Sequence, residues 1–201
     1  MINIGIIGAG RIGKVHLESI TYHVKNARVK SVAEPYLNDE TKAFIESMGV
    51  TEIYTDYKQI LADPEIDAVL ICSSTDTHAS ISMEAIEAGK HIFTEKVLAI
   101  TDEDAEEIAE AVKKSGLLFA ICFPNIAYGF TQTIKAEILD RGVLGKVNSV
   151  RFRYSHTAAS EDELPPHFYD RETTGGGSVI DHGVHGLSVI YHLFGLPNRY
   201  K

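Results

Sequence analysis

The stretch GIIGAGRIGKVH, residues 5–16, decides the fold. It leaves an apolar segment through Gly8, Gly10 and Gly13 and enters a segment of helical pattern. In such a sequence the first glycine makes a tight turn, the second leaves room for a pyrophosphate, and the third lets helix and strand pack closely. The amides at the helix N-terminus then face the anion. The stretch therefore predicts a phosphate-binding turn between a strand and a helix, with Arg11 and Ile12 beside the phosphates.

An acidic residue at a fixed distance strengthens this prediction. The second apolar segment ends in Glu34, 21 residues beyond Gly13. A carboxylate there accepts hydrogen bonds from the hydroxyl groups of an adenosine ribose, whereas it would repel a 2′-phosphate. NAD is therefore the expected cofactor, and NADP is disfavoured. The alternative is a glycine-rich turn in an α/β domain that binds no nucleotide.

Short apolar segments alternate with helical segments through the first 122 residues. Strands are predicted at residues 2–7, 29–34, 68–73, 91–95 and 117–123, and helices at residues 11–24, 39–48, 77–88 and 102–115. The strands are continuous and rich in β-branched or aromatic residues, as in a sheet buried on both faces. Thr101 indicates a helix start, and Gly89 and Gly116 indicate helix ends. The alternation predicts an α/β fold with a doubly wound parallel sheet over residues 1–122.

Composition excludes several classes of protein. The net charge of the 201 residues is −9 and no basic block occurs, which argues against nucleic-acid binding. No apolar run approaches the roughly 18 residues that span a bilayer, and the first strand begins too early for a signal peptide. Cys72 and Cys122 are the only cysteines, each in an apolar run, which suits a reducing compartment. A cytoplasmic protein without nucleic-acid or membrane partners is expected.

A polar loop, SSTDTH at residues 73–78, follows a predicted strand. Open α/β sheets bind ligands at the carboxyl ends of their strands. The hydroxyls of Ser73, Ser74 and Thr75 and the ring of His78 are therefore predicted to contact the nicotinamide-side ribose. The structural alternative, which is compatible with this one, is a helix N-cap at residue 76 or 77.

Two opposite charges, Glu95 and Lys96, lie between a predicted strand and an acidic helix start. One interpretation is a surface ion pair. The other is a catalytic lysine at the mouth of the nucleotide site, since ligands collect at this end of parallel strands. The two residues alone leave both interpretations open.

After residue 122 the pattern changes, and a second domain is predicted over residues 123–201. It would contain a helix at 129–141, a strand at 146–157 in which apolar and polar residues alternate, and a helix at 178–194. On the last helix Asp181 and His185 are four residues apart, so the carboxylate would orient the imidazole for proton transfer. The alternative is a solvated polar face with an ordinary Asp–His pair.

The same helix predicts two stripes at 100° per residue. The apolar stripe, expected to face the core, comprises Ile180, Val184, Leu187, Tyr191 and Phe194; the polar stripe comprises Asp181, His185, Ser188 and His192. A metal site is not expected here, because His182 is predicted to point away from His185 and His192. Neither an HExxH nor a CxxC arrangement occurs.

These motifs together resemble the Gfo/Idh/MocA family of oxidoreductases, which is named for glucose–fructose oxidoreductase, inositol dehydrogenase and a rhizopine-catabolism protein. The resemblance is carried by the glycine turn, by Glu34-Pro35, by EAGKHIFTEK at 87–96, by ILDRGVLGKV at 138–147 and by GGGSVIDHGVH at 175–185. It implies an N-terminal Rossmann domain and a C-terminal domain built on an open, mostly antiparallel sheet. It also implies NAD(P)-dependent oxidation or reduction of sugars, inositols and related polyols.

The resemblance implies roles for particular residues. Lys96 matches the lysine of the family's Glu-Lys-Pro motif, with Glu95 also at the cofactor site, and Asp181 and His185 match the acid and histidine of its helix motif. Lys96 would hydrogen-bond the reacting oxygen and stabilise developing negative charge. His185 would act as acid or base, alone or in relay with Lys96, and Asp181 would orient His185 and the substrate hydroxyls.

The sequence departs from the family pattern in four places. Val97 replaces the motif's proline, Ser188 stands where many members carry an acid, and residues 125–128 lack a common arginine. The chain is also much shorter than most members, so the second domain is expected to be incomplete or completed by another chain, and a homo-oligomer is expected. The alternative function is therefore a non-catalytic NAD-binding regulatory or redox-sensing protein.

Overall fold

The computed structural model describes residues 1–155, 157, 160–161 and 169–196. The chain divides into two compact units, residues 1–122 and residues 123–201, which are described in turn. In the part of the chain so described, no helix is both long and apolar enough to cross a bilayer.

A six-stranded parallel sheet forms the centre of the first unit, with the strand order β3-β2-β1-β4-β5-β6. The strands are β1 (Ile2–Ile7), β2 (Ala27–Ala33), β3 (Glu52–Tyr54), β4 (Ala68–Ile71), β5 (His91–Thr94) and β6 (Phe119–Ile121). The helices are α1 (Arg11–His23), α2 (Asp39–Ser47), α3 (Lys58–Ala62), α4 (Thr75–Glu87) and α5 (Asp102–Ser115). The strand order reverses between β1 and β4, where such folds bind ligands. The predicted doubly wound α/β fold is confirmed.

The strands are apolar on both faces because hydrophobic clusters lie on both sides of the sheet. Ile6 and Leu70 belong to one buried cluster, and their chain neighbours Ile7 and Ile71 belong to the other. Successive side chains on a strand point to opposite faces. Burying each of these side chains contributes about 1.5–3 kcal/mol to folding, so the sheet needs the continuous apolar segments seen in the sequence.

Several helix boundaries follow local signals. Thr101 is the N-cap of α5, where its hydroxyl accepts a hydrogen bond from the Asp104 N–H at 3.1 Å. Gly116 ends the same helix at φ 71°. Helix α4 begins earlier than predicted, at Thr75, because Ser74 takes the extended N-cap conformation. The N-cap predicted at residue 76 or 77 is therefore wrong.

Strand β3 and helix α3 are missing from the predictions. They contain three and five residues, EIY and KQILA. Segments of this length are too short to show a hydrophobic period, so periodicity cannot reveal them. They form because the β2 ladder and the core around Ile60 supply tertiary contacts.

The second unit is helical wherever it forms regular structure within the described ranges. Its helices are α6 (Pro124–Ala127), α7 (Gly129–Thr133), α8 (Arg171–Thr174), α9 (Ser178–Asp181) and α10 (Gly183–Phe194), and a π-helical segment (Ile134–Leu139) follows α7. The helix predicted at 129–141 is therefore present, but its winding changes at residue 134. Because the π winding is wider than that of an α-helix, the side chains that follow residue 134 point in different directions from those of a continuous α-helix.

The strand predicted at 146–157 does not form in the part of it that is described, residues 146–155 and 157; residue 156 lies outside the described residues. A strand requires a neighbour for its ladder hydrogen bonds, and no described segment pairs with it. The rings of Phe152 and Tyr154 nevertheless stack, with centroids 6.3 Å apart and planes at 21°. The side chains of residues 152 and 154 thus lie on the same side of the backbone, as the period-two pattern indicates, although these residues form no sheet.

The helix predicted at 178–194 is interrupted. Helix α9 ends at Asp181 and α10 begins at Gly183, with His182 between them at φ −101°. Glycine is a weak helix former, so the interruption falls next to a residue, Gly183, that disfavours helix. The rotation of 100° per residue on which the two predicted stripes depend therefore does not hold across His182.

The apolar stripe predicted on α10 is not its buried side. Leu187 and Tyr191 are 58% and 61% exposed, whereas Gly186 and Val189 are buried. A Cβ on Gly186 would lie 2.6 Å from Cδ1 of Phe152. The close packing is thus on the glycine side of the helix. The prediction is wrong because apolar residues cover most of the circumference of α10, so the sequence does not determine which part of that surface is covered.

Candidate functional site

The glycine turn at residues 8–13 has the geometry of a phosphate-binding site. Gly8 has φ 94°, which residues with a side chain rarely adopt, and a Cβ there would lie 2.6 Å from the Cys72 carbonyl oxygen. A Cβ on Gly13 would lie 2.1 Å from the Gly8 carbonyl oxygen, whereas one on Gly10 would meet nothing within 4 Å. Packing therefore requires the first and third glycines, and the second faces open space of the kind that a pyrophosphate needs.

The N-terminus of α1 opens from this turn. Gly10 is its N-cap and provides no side-chain hydrogen bond, and the first turn contains no acidic residue. The first amides of a helix lack partners within the helix and carry the positive end of its dipole. Arg11 and Ile12 begin the helix and are both exposed. An anion here would meet amide groups, with the positive charge of Arg11 close to them.

Glu34 contacts the turn from the carboxyl end of β2. Its Oε2 accepts a hydrogen bond from the Ala9 N–H at 2.6 Å, and its Oε1 accepts one from the Tyr36 N–H at 3.0 Å. The Glu34 N–H donates to the Tyr54 carbonyl at 2.9 Å. The carboxylate is therefore held against the turn, in the position where the sequence predicts a ribose-binding acid.

Ser73, Ser74 and Thr75 lie at the carboxyl end of β4, next to the glycine turn. A Cβ on Gly8 would lie 2.8 Å from the Ser73 nitrogen, so the two loops touch. The Thr77 hydroxyl donates to Ser73 Oγ at 2.7 Å and lies 2.8 Å from the Ser74 carbonyl oxygen. The structure thus brings these three predicted residues to the same edge of the sheet as the turn and Glu34.

His78 is placed differently from its prediction. It is only 1% exposed. Its Nδ1 lies 2.8 Å from the Val97 carbonyl oxygen and its Nε2 lies 3.0 Å from the Ser73 carbonyl oxygen. A ring that is buried and engaged at both nitrogens does not present a group to a ribose. The predicted cofactor contact of this ring is therefore corrected: His78 holds two loops together.

Glu95 is largely buried and pairs with a residue of the glycine-turn helix. Its Oε1 lies 2.7 Å from His16 Nε2, and its side chain is 14% exposed. Burial raises the pKa of Glu95, but hydrogen bonds with His16 and Cys122, the charge of His16 and the hydrogen bond of the Lys96 N–H together outweigh burial and leave that pKa below its usual value. The interpretation of Glu95 as half of a surface ion pair does not fit these observations.

Lys96 follows β5 and is half buried. Its N–H donates to Oε2 of Glu95 at 3.3 Å, and its peptide bond to Val97 is cis. The Val97 carbonyl oxygen in turn faces His78 at 2.8 Å. Glu95 and His78 therefore fix the main chain on both sides of Lys96.

Both cysteines are free thiols close to Glu95. Burial, followed by the negative charge of Glu95, raises the pKa of Cys122 to about 12. Burial also raises the pKa of Cys72 well above its usual value. Because the thiolate is the reactive form, both shifts disfavour nucleophilic reactivity of these cysteines at neutral pH.

In the second unit, Asp181 and His185 lie on either side of the break between α9 and α10. Asp181 Oδ2 is 3.3 Å from Nε2 of His182, and the Tyr154 ring lies 5.6 Å from the His182 ring and 6.0 Å from the His185 ring. The regular helical spacing from which His182 is predicted to point away from His185 does not hold here, and both rings approach one tyrosine. The break at His182 is the physical reason, because it removes the regular helical spacing. His192 lies further along α10, with its Nε2 3.4 Å from Gln132 Nε2.

Each predicted site residue is thus placed within its own unit. The first unit gathers the glycine turn, Glu34, the residues 73–75, Glu95 and Lys96 at the carboxyl ends of β1, β2, β4 and β5. His16 and Cys122, which contact Glu95, are not among the predicted site residues. No spacing rule connects residues 16, 95 and 122, because only the folded sheet brings them together.

The two units match two parts of one protein family. Residues 2–123 match the family described as "Oxidoreductase family, NAD-binding Rossmann fold". Residues 132–200 match the GFO/IDH/MocA C-terminal domain.

Individual relatives agree with these matches. The chain is 32% identical over 191 residues to the uncharacterized oxidoreductase YrbE of Bacillus subtilis. This alignment covers 95% of the chain and 53% of YrbE. It is 30% identical over 194 residues to myo-inositol 2-dehydrogenase of Thermotoga maritima, and this alignment covers 96% of the chain and 54% of that enzyme. The crystal structure of scyllo-inositol dehydrogenase from Lactobacillus casei with NAD(H) and scyllo-inositol aligns with a TM-score of 0.83 at 26% identity. The alignment covers 97% of the present chain and 56% of that dehydrogenase. The chain spans about half the length of these relatives.

Proposed function

The chain belongs to the Gfo/Idh/MocA family of oxidoreductases, and from this premise we propose that it takes part in NAD-dependent hydride transfer to or from a polyol, inositol or sugar. The first unit is the family's NAD-binding Rossmann domain. The similarity to a myo-inositol dehydrogenase and to a scyllo-inositol dehydrogenase supports the substrate class. The reacting group would be a ring or chain CH–OH, or the corresponding carbonyl.

The open space at Gly10 is the observation that carries this proposal. Gly8 and Gly13 are too closely packed to accept a Cβ, yet Gly10 has 4 Å of free space at the α1 N-terminus. The turn would hold the pyrophosphate through its amides, and Glu34 would accept hydrogen bonds from the adenosine ribose. The Glu34 carboxylate supports NAD over NADP, since it would repel a 2′-phosphate. When bound, the nicotinamide ring supplies the hydride acceptor or donor.

Lys96 is proposed to act at the reacting oxygen. A cationic ammonium group stabilises negative charge that develops on an oxygen and can hold or release a proton there. Its main chain is fixed on one side by Glu95 and on the other by the Val97–His78 contact. A fixed main chain helps to hold the Lys96 side chain in one position. A group held in place can stabilise the transition state more strongly than the bound substrate, which is the condition for catalysis.

Asp181 and His185 are proposed as the acid/base pair of the second unit. His185 would move the proton of the reacting hydroxyl, and Asp181 would orient substrate hydroxyls. The residue types support this proposal, because an imidazole exchanges protons near neutral pH. The half-buried position of both residues on either side of the α9–α10 break also supports it.

A screen of the 201-residue chain tests the proposal. NADH binding is measured by calorimetry, and nicotinamide absorbance is followed with inositols, aldoses and sugar acids. We expect NADH to bind and one of these classes to be turned over, and Lys96→Met to lower the turnover number by about 10²–10⁴-fold while keeping NADH binding. Lys42→Met, at an exposed lysine on α2, serves as the matched control. Near-normal turnover by Lys96→Met would remove Lys96 from the chemistry.

A second candidate function is a non-catalytic NAD-binding module. It is favoured by Val97 in place of the motif's proline and by the lack of the family's common arginine at residues 125–128. The same screen separates the two candidates. Tight NADH binding with no turnover on any of the three substrate classes would select the second.

A further inference from the structure

We propose that His16, Glu95 and Cys122 form a binding site for a thiophilic divalent cation such as zinc. The residues come from three parts of the first unit: helix α1, the end of β5 and the end of β6. An imidazole nitrogen, a carboxylate oxygen and a thiol sulfur lie within 4.8 Å of one another. No other part of this unit's described residues gathers such a set.

The donor atoms select the class of cation. Nitrogen, oxygen and sulfur are the three ligand types of protein zinc sites, and a sulfur ligand disfavours magnesium and calcium. Zinc bond lengths place tetrahedral ligand atoms roughly 3.3–3.7 Å apart. His16 Nε2 and Glu95 Oε1 are 2.7 Å apart as an ion pair. Opening this pair by roughly 0.6–1 Å would therefore admit the cation.

The arrangement of the Glu95 carboxylate suits coordination by one oxygen. Oε1 faces His16, whereas Oε2 accepts the hydrogen bond of the Lys96 N–H. Coordination through Oε1 would leave the contact with Lys96 in place. Each of the three residues is partly buried, so a cation would be partly sheltered from water and still able to enter.

The three groups are already gathered around one carboxylate before any cation binds. Glu95 forms hydrogen bonds with both His16 and Cys122. A bound cation would replace these shared protons, because zinc binds the thiolate and the neutral imidazole. Since the groups satisfy one another without it, the cation is not required for folding, and binding is expected to be reversible.

Cobalt spectroscopy of the metal-free 201-residue chain tests the proposal. Co²⁺ occupies zinc sites and gives a sulfur-to-metal charge-transfer band in the near ultraviolet when a thiolate is a ligand. We expect one equivalent of Co²⁺ to produce this band and Zn²⁺ to remove it. Cys122→Ser should abolish the band and weaken Zn²⁺ binding, measured by competition dialysis, by roughly tenfold or more. Cys72→Ser, at the chain's other cysteine, should leave both unchanged.

A second variant keeps the test valid if Cys122→Ser does not fold, as judged by thermal unfolding. His16→Gln removes the nitrogen ligand and should weaken Zn²⁺ binding by a similar factor. The proposal is overturned if the wild-type chain gives no band, if the band depends on Cys72 instead of Cys122, or if Zn²⁺ affinity is unchanged in the folded variants. None of these measurements involves NAD or substrate, so their outcome is independent of the proposed oxidoreductase function.

Discussion

The carboxylate of Glu34 accepts a 2.6 Å hydrogen bond from the amide of Ala9, which joins the end of β2 to the glycine turn after β1. These two residues are 25 positions apart in the chain, and the parallel pairing of β1 with β2 brings them together. The acid that the sequence predicts for ribose recognition therefore also shapes the turn that would bind the pyrophosphate. Nucleotide affinity and turn geometry depend on the same side chain.

Glu34→Gln should weaken NADH binding and reduce the discrimination against NADPH. The amide oxygen can still accept from Ala9, but the negative charge that strengthens hydrogen bonds from ribose hydroxyls is lost. Hydrogen bonds to charged groups contribute about 1.5–3 kcal/mol, so NADH affinity should fall roughly tenfold to a hundredfold. Calorimetric titration with both nucleotides checks this, with Glu46→Gln on the exposed face of α2 as control. Equal NADH affinity in the two variants would contradict the role of Glu34.

Gly10→Ala and Gly13→Ala should fail in different ways. A Cβ on Gly13 would overlap the Gly8 carbonyl oxygen at 2.1 Å, so this variant should lose about 1–3 kcal/mol of unfolding free energy or more. A Cβ on Gly10 meets nothing within 4 Å, so this variant should unfold almost like the wild type. Its methyl group would instead occupy the space proposed for the pyrophosphate. Thermal unfolding and NADH titration of both variants measure the contrast; normal NADH binding by Gly10→Ala would refute the proposed phosphate position.

The fold could be predicted because its signals are local. The glycine turn and the alternation of apolar and helical segments are visible within about 15 residues, and they determine which elements form. The parallel sheet then follows from the packing of these elements. The same rule places the ends of β1, β2 and β4 at one edge, so Glu34 and Ser73 could be assigned to a shared site from the sequence alone.

The remaining features could not be predicted because they depend on distant contacts. His78 looks like any polar residue in a loop, and only Val97, 19 residues later, explains its burial. The pair of His16 and Glu95 joins residues 79 positions apart. On α10, apolar residues cover most of the circumference, so the sequence does not say that the Gly186 side packs against Phe152.

His78→Ala should lower stability and leave NADH affinity almost unchanged. The substitution removes the ring between the carbonyl groups of Ser73 and Val97, and each buried polar group that loses its partner costs about 1–3 kcal/mol. Chemical denaturation should show this loss, and His23→Ala, at an exposed histidine in the last turn of α1, should not. A large fall in NADH affinity with normal stability would restore the cofactor contact that the structure argues against.

Glu95→Gln should remove a pH-dependent part of the stability of the first unit. Because the pKa of Glu95 is below its usual value in the folded chain, its charged form is stabilised by folding. Its contribution is therefore fully present above the usual carboxyl pKa near 4.5 and is lost as the pH falls through the lowered value. The difference in unfolding free energy between wild type and Glu95→Gln should be constant from neutral pH down to about pH 5 and shrink below it. Urea denaturation across this range measures the difference, with Glu18→Gln, at an exposed position of α1, as control. A difference that grows as the pH falls would show that burial, and not the bond to His16, dominates at Glu95.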